Sequence, residues 1–220
     1  MENIKLAGDI VADQYKLDKL LNSDSLNQIW QAIKFTSQKK EKVILKFEDV
    51  QFEPKLSYEC SVYKYFQNQP TIKGQSFPKV IDYLTIGSEN IMISECLGPN
   101  LEELLVLCSR QFSLKTVLML TSQMIKRIEY CHNLRLIHRD IKPENFRIGA
   151  ETKQHLLYMA NLRNVKKYMS STGKHLKFKD ASPATGTMRY ASINAHIGVE
   201  CTRRDDMESL AYVLIYLLKG

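Results

Sequence analysis

The sequence predicts an α+β fold, in which a small β-rich part with one helix is followed by a mainly helical part. Two observations lead to it. Between residues 15 and 94, runs of β-branched and aromatic residues alternate with polar turns, and a helical period occurs once. From residue 101 onward the helical period dominates and the strand-like runs become very short. A chain of 220 residues can bury a sizeable core in one domain or in two small lobes. Its 44% hydrophobic and 25% charged content is that of an ordinary globular protein.

The elements follow in order. Tyr15–Leu21, Gln28–Phe35 and Val43–Phe47 read as strands. Pro54 suits a first helical position. Leu56, Cys60, Tyr63 and Phe66 recur at helical spacing, which predicts an amphipathic helix over 55–67. Val80–Ile86 and Asn90–Ser94 form a hairpin across Gly87-Ser88. Cys96–Pro99 is a connector, and Leu101–Ser109 a short helix. Ser113 is a good N-cap for a long helix reaching about Leu134 through Val117, Leu120, Met124, Ile128 and Cys131. Short strands are expected near Phe146–Ile148 and Leu156–Met159, then a polar, basic loop over 166–182 leading to Pro183. The last helix, about 205–218, is apolar on nearly every face, the pattern of a helix inside a core. The expected domains are 1–95, a hinge at 96–100, and 101–220.

The net charge of +7 is compatible with nucleic acid and with acidic or phosphorylated protein segments. The basic residues are scattered without interleaved aromatics, so nucleic acid is not an expected partner. Cys60, Cys96, Cys108, Cys131 and Cys201 are odd in number and form no Cys-x-x-Cys pair, which favours reduced thiols over disulfides or zinc. Met1–Asp9 lacks the apolar core of a signal peptide, and the longest apolar run, within Met207–Leu218, is too short to span a membrane. The expected location is intracellular, cytoplasmic or cytoskeleton-associated, without a membrane partner.

The stretch Ile137-His138-Arg139-Asp140-Ile141-Lys142-Pro143-Glu144-Asn145-Phe146 carries the chemistry. An Asp can orient a hydroxyl and take its proton. A Lys two residues on can neutralise a transferring phosphate, and an Asn five residues on can reach a magnesium ion. The spacing matches the His-Arg-Asp-x-x-x-x-Asn catalytic loop of protein kinases.

Four further stretches carry a closer resemblance. These are Leu97-Gly98-Pro99-Asn100-Leu101-Glu102, Phe112-Ser113-Leu114-Lys115-Thr116-Val117-Leu118, the segment from Gly186-Thr187-Met188-Arg189 to His196, and Arg203-Arg204-Asp205-Asp206-Met207-Glu208-Ser209-Leu210. With the catalytic loop they make residues 15–220 resemble the casein kinase 1 family of serine/threonine kinases. The resemblance implies a bilobal protein-kinase-like fold with a β-rich N-lobe and a helical C-lobe that ends after its central helix.

It also implies roles for single residues. Lys46 corresponds to the nucleotide-clamping Lys and Glu59 to its helix partner. Asp140 corresponds to the catalytic base and Lys142 to the phosphate-neutralising Lys. Asn145 and Asn161 fall at the metal-ligand positions, and Asp206 at the Asp that holds the catalytic-loop backbone. Leu21, Ile29, Ile44, Glu95, Leu97 and Arg147 fall at nucleotide-slot positions. Arg189 and Gly220 correspond to an anion site beside the cleft. The cofactors implied are ATP and Mg2+ if the protein is active, and none otherwise.

Three parts of the nucleotide machinery depart from the family. The phosphate-covering loop is glycine-rich in kinases because its backbone must bend closely over phosphates. Here it is Asn22-Ser23-Asp24-Ser25-Leu26-Asn27, and no glycine occurs between Gly8 and Gly74. The metal-binding Asp-Phe-Gly aligns with Asn161-Leu162-Arg163, and no aspartate occurs between Asp140 and Asp180. Magnesium prefers anionic oxygens, and a neutral Asn removes a charge. Ile44 replaces a small residue in the adenine roof, and Arg147 replaces an apolar floor. Arg147 either narrows the slot or swings out to solvent.

Three functions are therefore expected to compete. One is a pseudokinase that binds a protein partner or serves a larger assembly. Another is a divergent kinase acting on Ser/Thr of acidic or phosphorylated proteins. The third is a reader of phosphorylated or acidic peptides through Arg189. Val213, Leu214, Ile215, Leu217 and Leu218 would form an exposed patch if uncovered, so either more chain or a partner is expected to cover the last helix.

Overall fold

The computed structural model describes residues 5–23, 27–35, 40–50, 55–69, 76–177 and 185–220. Asp24, Ser25, Leu26, Pro54 and Pro183, and the end of the basic loop, lie outside the described residues. The chain divides into two compact units, Met1–Ile72 with Pro78–Cys96, and Lys73–Phe77 with Leu97–Gly220.

The first unit is a six-stranded antiparallel sheet and one helix. In chain order the strands are β1 (Ile10–Val11), β2 (Tyr15–Ser23), β3 (Asn27–Phe35), β4 (Lys40–Asp49), β5 (Val80–Ile86) and β6 (Glu89–Glu95), and α1 (Lys55–Gln67) lies between β4 and β5. The spatial order is β1-β2-β3-β4-β6-β5. Strand periodicity sorts the side chains. Val43, Leu45 and Phe47 of β4 join Tyr15, Leu17, Trp30, Ala32, Ile91 and Ile93 in one buried cluster. Each large apolar side chain buried there contributes roughly 1.5–3 kcal/mol. Ile44 and Lys46 point to the other face, as period-two alternation requires. Helix α1 covers that face with Leu56, Cys60, Tyr63 and Phe66, and the buried Glu48 carboxylate accepts from Leu56 N at its start. The β5–β6 connection is the expected two-residue turn, with Gly87 at φ +59°.

The second unit contains α2 (Leu101–Leu107), α3 (Leu114–Asn133), α4 (Ile193–His196) and α5 (Arg203–Lys219). Ser113 caps α3, its Oγ accepting from Thr116 N at 3.2 Å. Two small antiparallel pairs flank the loop 137–146. One joins β7 (Leu136–Ile137) to β10 (Lys166–Lys167), and the other joins β8 (Phe146–Ile148) to β9 (Leu157–Met159). The strand at 166–167 lies in the stretch expected to be a loop. A two-residue strand has no periodicity of its own, and its pairing is set by β7.

Helix α5 departs from expectation. It buries one stripe, Asp206, Leu210, Val213 and Leu217, at helical spacing, while Ile215 is 58% exposed. The run of apolar residues hides an ordinary amphipathic stripe. No helix among the described residues is long and apolar enough to cross a membrane.

Candidate functional site

The first unit holds one candidate group. Lys46 Nζ bonds Glu59 Oε2 at 2.5 Å, with the Glu59 side chain 2% exposed. Strand β4 aims Lys46 at α1, and the helix returns a buried carboxylate that holds the ammonium. Ile29 lies across from Lys46 in register, and Ile44 lies across from Gln31 and Ser94. Ile29, Ile44 and Lys46 therefore share a face. Leu21 sits at a bulge between Leu20 and Asn22 and is 43% exposed. Asn22 and Ser23, at the described start of the glycine-free turn, end β2, and Asn27 opens β3. Glu95 ends β6, its carboxylate accepting from Lys79 N at 2.8 Å.

In the second unit the loop 137–146 hangs from α5. Asp206, fully buried, accepts from His138 N and Arg139 N at 2.8 Å each, and its Oδ2 lies 2.8 Å from His132 Nε2. Arg139 has φ +66°, a conformation a non-glycine residue holds only when its surroundings enforce it. Arg139 Nε donates to Asn164 O at 2.7 Å. Its Nη1 lies 3.4 Å from Glu200, which also accepts from Lys166.

Asp140, Lys142, Asn145 and Asn161 come together on this frame. Asp140 Oδ1 accepts from Thr187 N at 2.9 Å and Thr187 Oγ1 at 3.0 Å. Lys142 Nζ donates to Thr187 Oγ1 at 2.8 Å and lies 3.6 Å from Asp140 Oδ2. Asn145 Nδ2 donates to the Asp140 carbonyl at 2.8 Å and to Asp140 Oδ2 at 3.2 Å. Asn161 Nδ2 donates to Asn145 Oδ1 at 3.1 Å.

A magnesium ion would need the Asn145 oxygen and a second hard oxygen at the Asn161 position, with near-octahedral geometry. The Asn145 oxygen is instead turned to an amide N–H. The residues present do not fit a resident magnesium ion.

Arg147 is held within the second unit. Its Nε donates to Gly98 O at 3.0 Å, and its Nη2 lies 3.6 Å from Glu103 Oε2, leaving the side chain 29% exposed. Glu103 also closes the capping box of α2 with Asn100. Arg147 is therefore fastened to the 98–103 segment instead of swinging free. Leu97, the neighbour of Gly98, is half-buried.

Arg189 and Gly220 both meet Tyr216. The Arg189 guanidinium lies 5.8 Å from the centre of the Tyr216 ring, and Gly220 N donates to Tyr216 O. The Tyr216 hydroxyl lies 2.9 Å from both Glu102 carboxylate oxygens, so this surface carries an acid as well as a cation.

Sequence reasoning missed Thr187, which ties Asp140 to Lys142. One signal pointed there. Gly186, beside it, has φ +89°, and a Cβ at that position would lie 2.4 Å from Arg139 O. Only glycine lets the 186–187 backbone come this close to the loop. Asp205 was also passed over. Burial raises its pKa, but hydrogen bonds from Ser192, Thr202 and Asn194 outweigh that and hold it below the usual carboxylate value. Cys201 borders the same region, and burial pushes its thiol up to about 11.

The family model described as the protein kinase domain matches residues 22–220. By the fold, by the loop 137–146 and by that match, the chain belongs to the protein kinase domain family.

Proposed function

We propose that this chain is a casein kinase 1-like pseudokinase that serves as a protein-binding or structural module. One observation carries the reading. The position where a kinase places its metal-binding aspartate holds the uncharged Asn161, whose amide N–H is donated to the Asn145 oxygen, so that oxygen faces a donor instead of a cation. A phosphoryl-transfer site without its divalent cation loses the charge that neutralises the phosphates. The glycine-free turn and the fastened Arg147 point the same way. The casein kinase 1 likeness rests on residues 97–102, 112–118, 186–196 and 203–210.

A second reading is supported by a specific geometry. Asp140, Lys142 and Asn145 lie within one hydrogen-bonded group, and Lys46 is paired with Glu59. On that reading the protein transfers the ATP γ-phosphate to Ser/Thr of acidic or phosphorylated proteins. A transfer assay with ATP and magnesium or manganese separates the two. The pseudokinase reading expects no incorporation above that of Asp140→Asn. Incorporation that disappears in Asp140→Asn establishes the second reading.

The proposed partner is a protein, alone or within an assembly, with acidic or phosphorylated segments as candidates. The odd number and wide spacing of the five cysteines support a reducing intracellular setting, cytoplasmic or cytoskeleton-associated.

A further inference from the structure

We propose that the Asn145–Asn161 amide pair is a cation-free latch, doing structurally what a divalent ion does between two oxygen ligands. The orientation of both amides follows from the chemistry of their partners. The Asp140 carbonyl can only accept, so the Asn145 atom 2.8 Å from it is Nδ2. Asn145 Oδ1 therefore faces Asn161, and because it too can only accept, the Asn161 atom 3.1 Å away is Nδ2. Asn161 makes this contact from φ +61° and ψ +68°, a left-handed conformation that Asn tolerates better than most residues.

The consequence is a chain of hydrogen bonds that closes without any ion. It runs from Asn161 to Asn145, to Asp140, to Thr187 and to Lys142. Three separate segments are joined: the 140–145 loop, the turn at Asn161, and Thr187 at the start of the 188–190 turn. An aspartate at 161 would present only acceptors to Asn145 Oδ1. The two oxygens would repel until a cation came between them. The asparagine removes that dependence with a near-isosteric side chain.

This goes beyond the proposed function, because it concerns what the pair does and is read without nucleotide. Its failure is therefore distinct from a failure of the pseudokinase reading, which the transfer assay decides. The test is hydrogen–deuterium exchange of the whole protein, followed by mass spectrometry over residues 138–146 and 160–165. Wild type, Asn161→Asp and Asn161→Ala are each compared in a chelator and in millimolar Mn2+. Wild type exchanges at the same rate in both. Both variants exchange about tenfold faster in chelator, the loss of one net hydrogen bond. Manganese restores protection to Asn161→Asp and leaves Asn161→Ala unchanged. The proposal is overturned if manganese slows exchange in wild type, if the variants exchange like wild type, or if manganese does not distinguish the two variants. Should Asn161→Asp fail to fold, wild-type protection in Asn161→Ala overturns the latch by itself, and faster exchange there with a manganese-indifferent wild type upholds it.

Discussion

Replacing Asp206 with alanine is the perturbation that reaches most of the second unit through one side chain. The carboxylate is 1% exposed and serves His138 N, Arg139 N and His132 Nε2, each at 2.8 Å. Without it, two backbone N–H groups lose their acceptor, and each unsatisfied buried donor costs about 1–3 kcal/mol. The left-handed conformation of Arg139 also loses its clamp. Such losses are not additive, so the expected destabilisation is about 3–5 kcal/mol. For a chain of this size that lowers Tm by roughly 6–20 °C. Asp206→Asn keeps one acceptor oxygen and is expected to lose about 1–3 kcal/mol. Thermal unfolding by circular dichroism gives the Tm, and amide exchange at 138 and 139 locates the loss. If Asp206→Ala melted within about 2 °C of wild type, with those amides still protected, the reasoning that α5 holds the loop would be refuted.

Three other outcomes follow from the same geometry. Gly186→Ala is expected to cost about 2–4 kcal/mol, read by urea unfolding, because its Cβ would lie 2.4 Å from the Arg139 carbonyl at φ +89°. The lowered pKa of Asp205 makes its contribution complete above about pH 4 and progressively lost as pH falls through the folded value, so Asp205→Asn should flatten the acid limb of the stability curve. Alkylation at neutral pH should label the exposed Cys108 well before Cys201 and Cys131, whose thiols burial holds in the protonated form, and mass spectrometry of timed samples checks the order.

Much of the fold was legible because its signals are local. Alternation put Val43, Leu45 and Phe47 on one face of β4, and Ser113 marked the start of α3 through a hydroxyl that only a helix start uses well. The catalytic loop was legible because its residue types recur at fixed spacing. What stayed hidden depends on distant partners. Strands β7 and β10 are two residues each and exist through their pairing with each other. The apolar run in α5 masked the stripe Leu210, Val213 and Leu217, because aliphatic residues on the exposed side carry no polar contrast.

The site divides in the same way. That Asn161 stands where a charge is needed could be read from the chain alone. That its amide faces Asn145 is set by the Asp140 carbonyl, a backbone atom with no mark in the sequence. Arg147 is similar. Its charge was visible, but its fastening to the Gly98 carbonyl and Glu103 depends on the capping box at Asn100. Thr187 was overlooked because its role lies in reaching two residues more than forty positions away.

Nucleotide binding tests the central claim most directly. ATP is titrated calorimetrically into the protein with and without magnesium, with Lys46→Ala as the control. A site whose metal-ligand amides are bonded to each other predicts no magnesium-dependent binding at millimolar ATP. Heat that requires both magnesium and Lys46 would contradict the pseudokinase reading and return the catalytic loop to phosphoryl transfer.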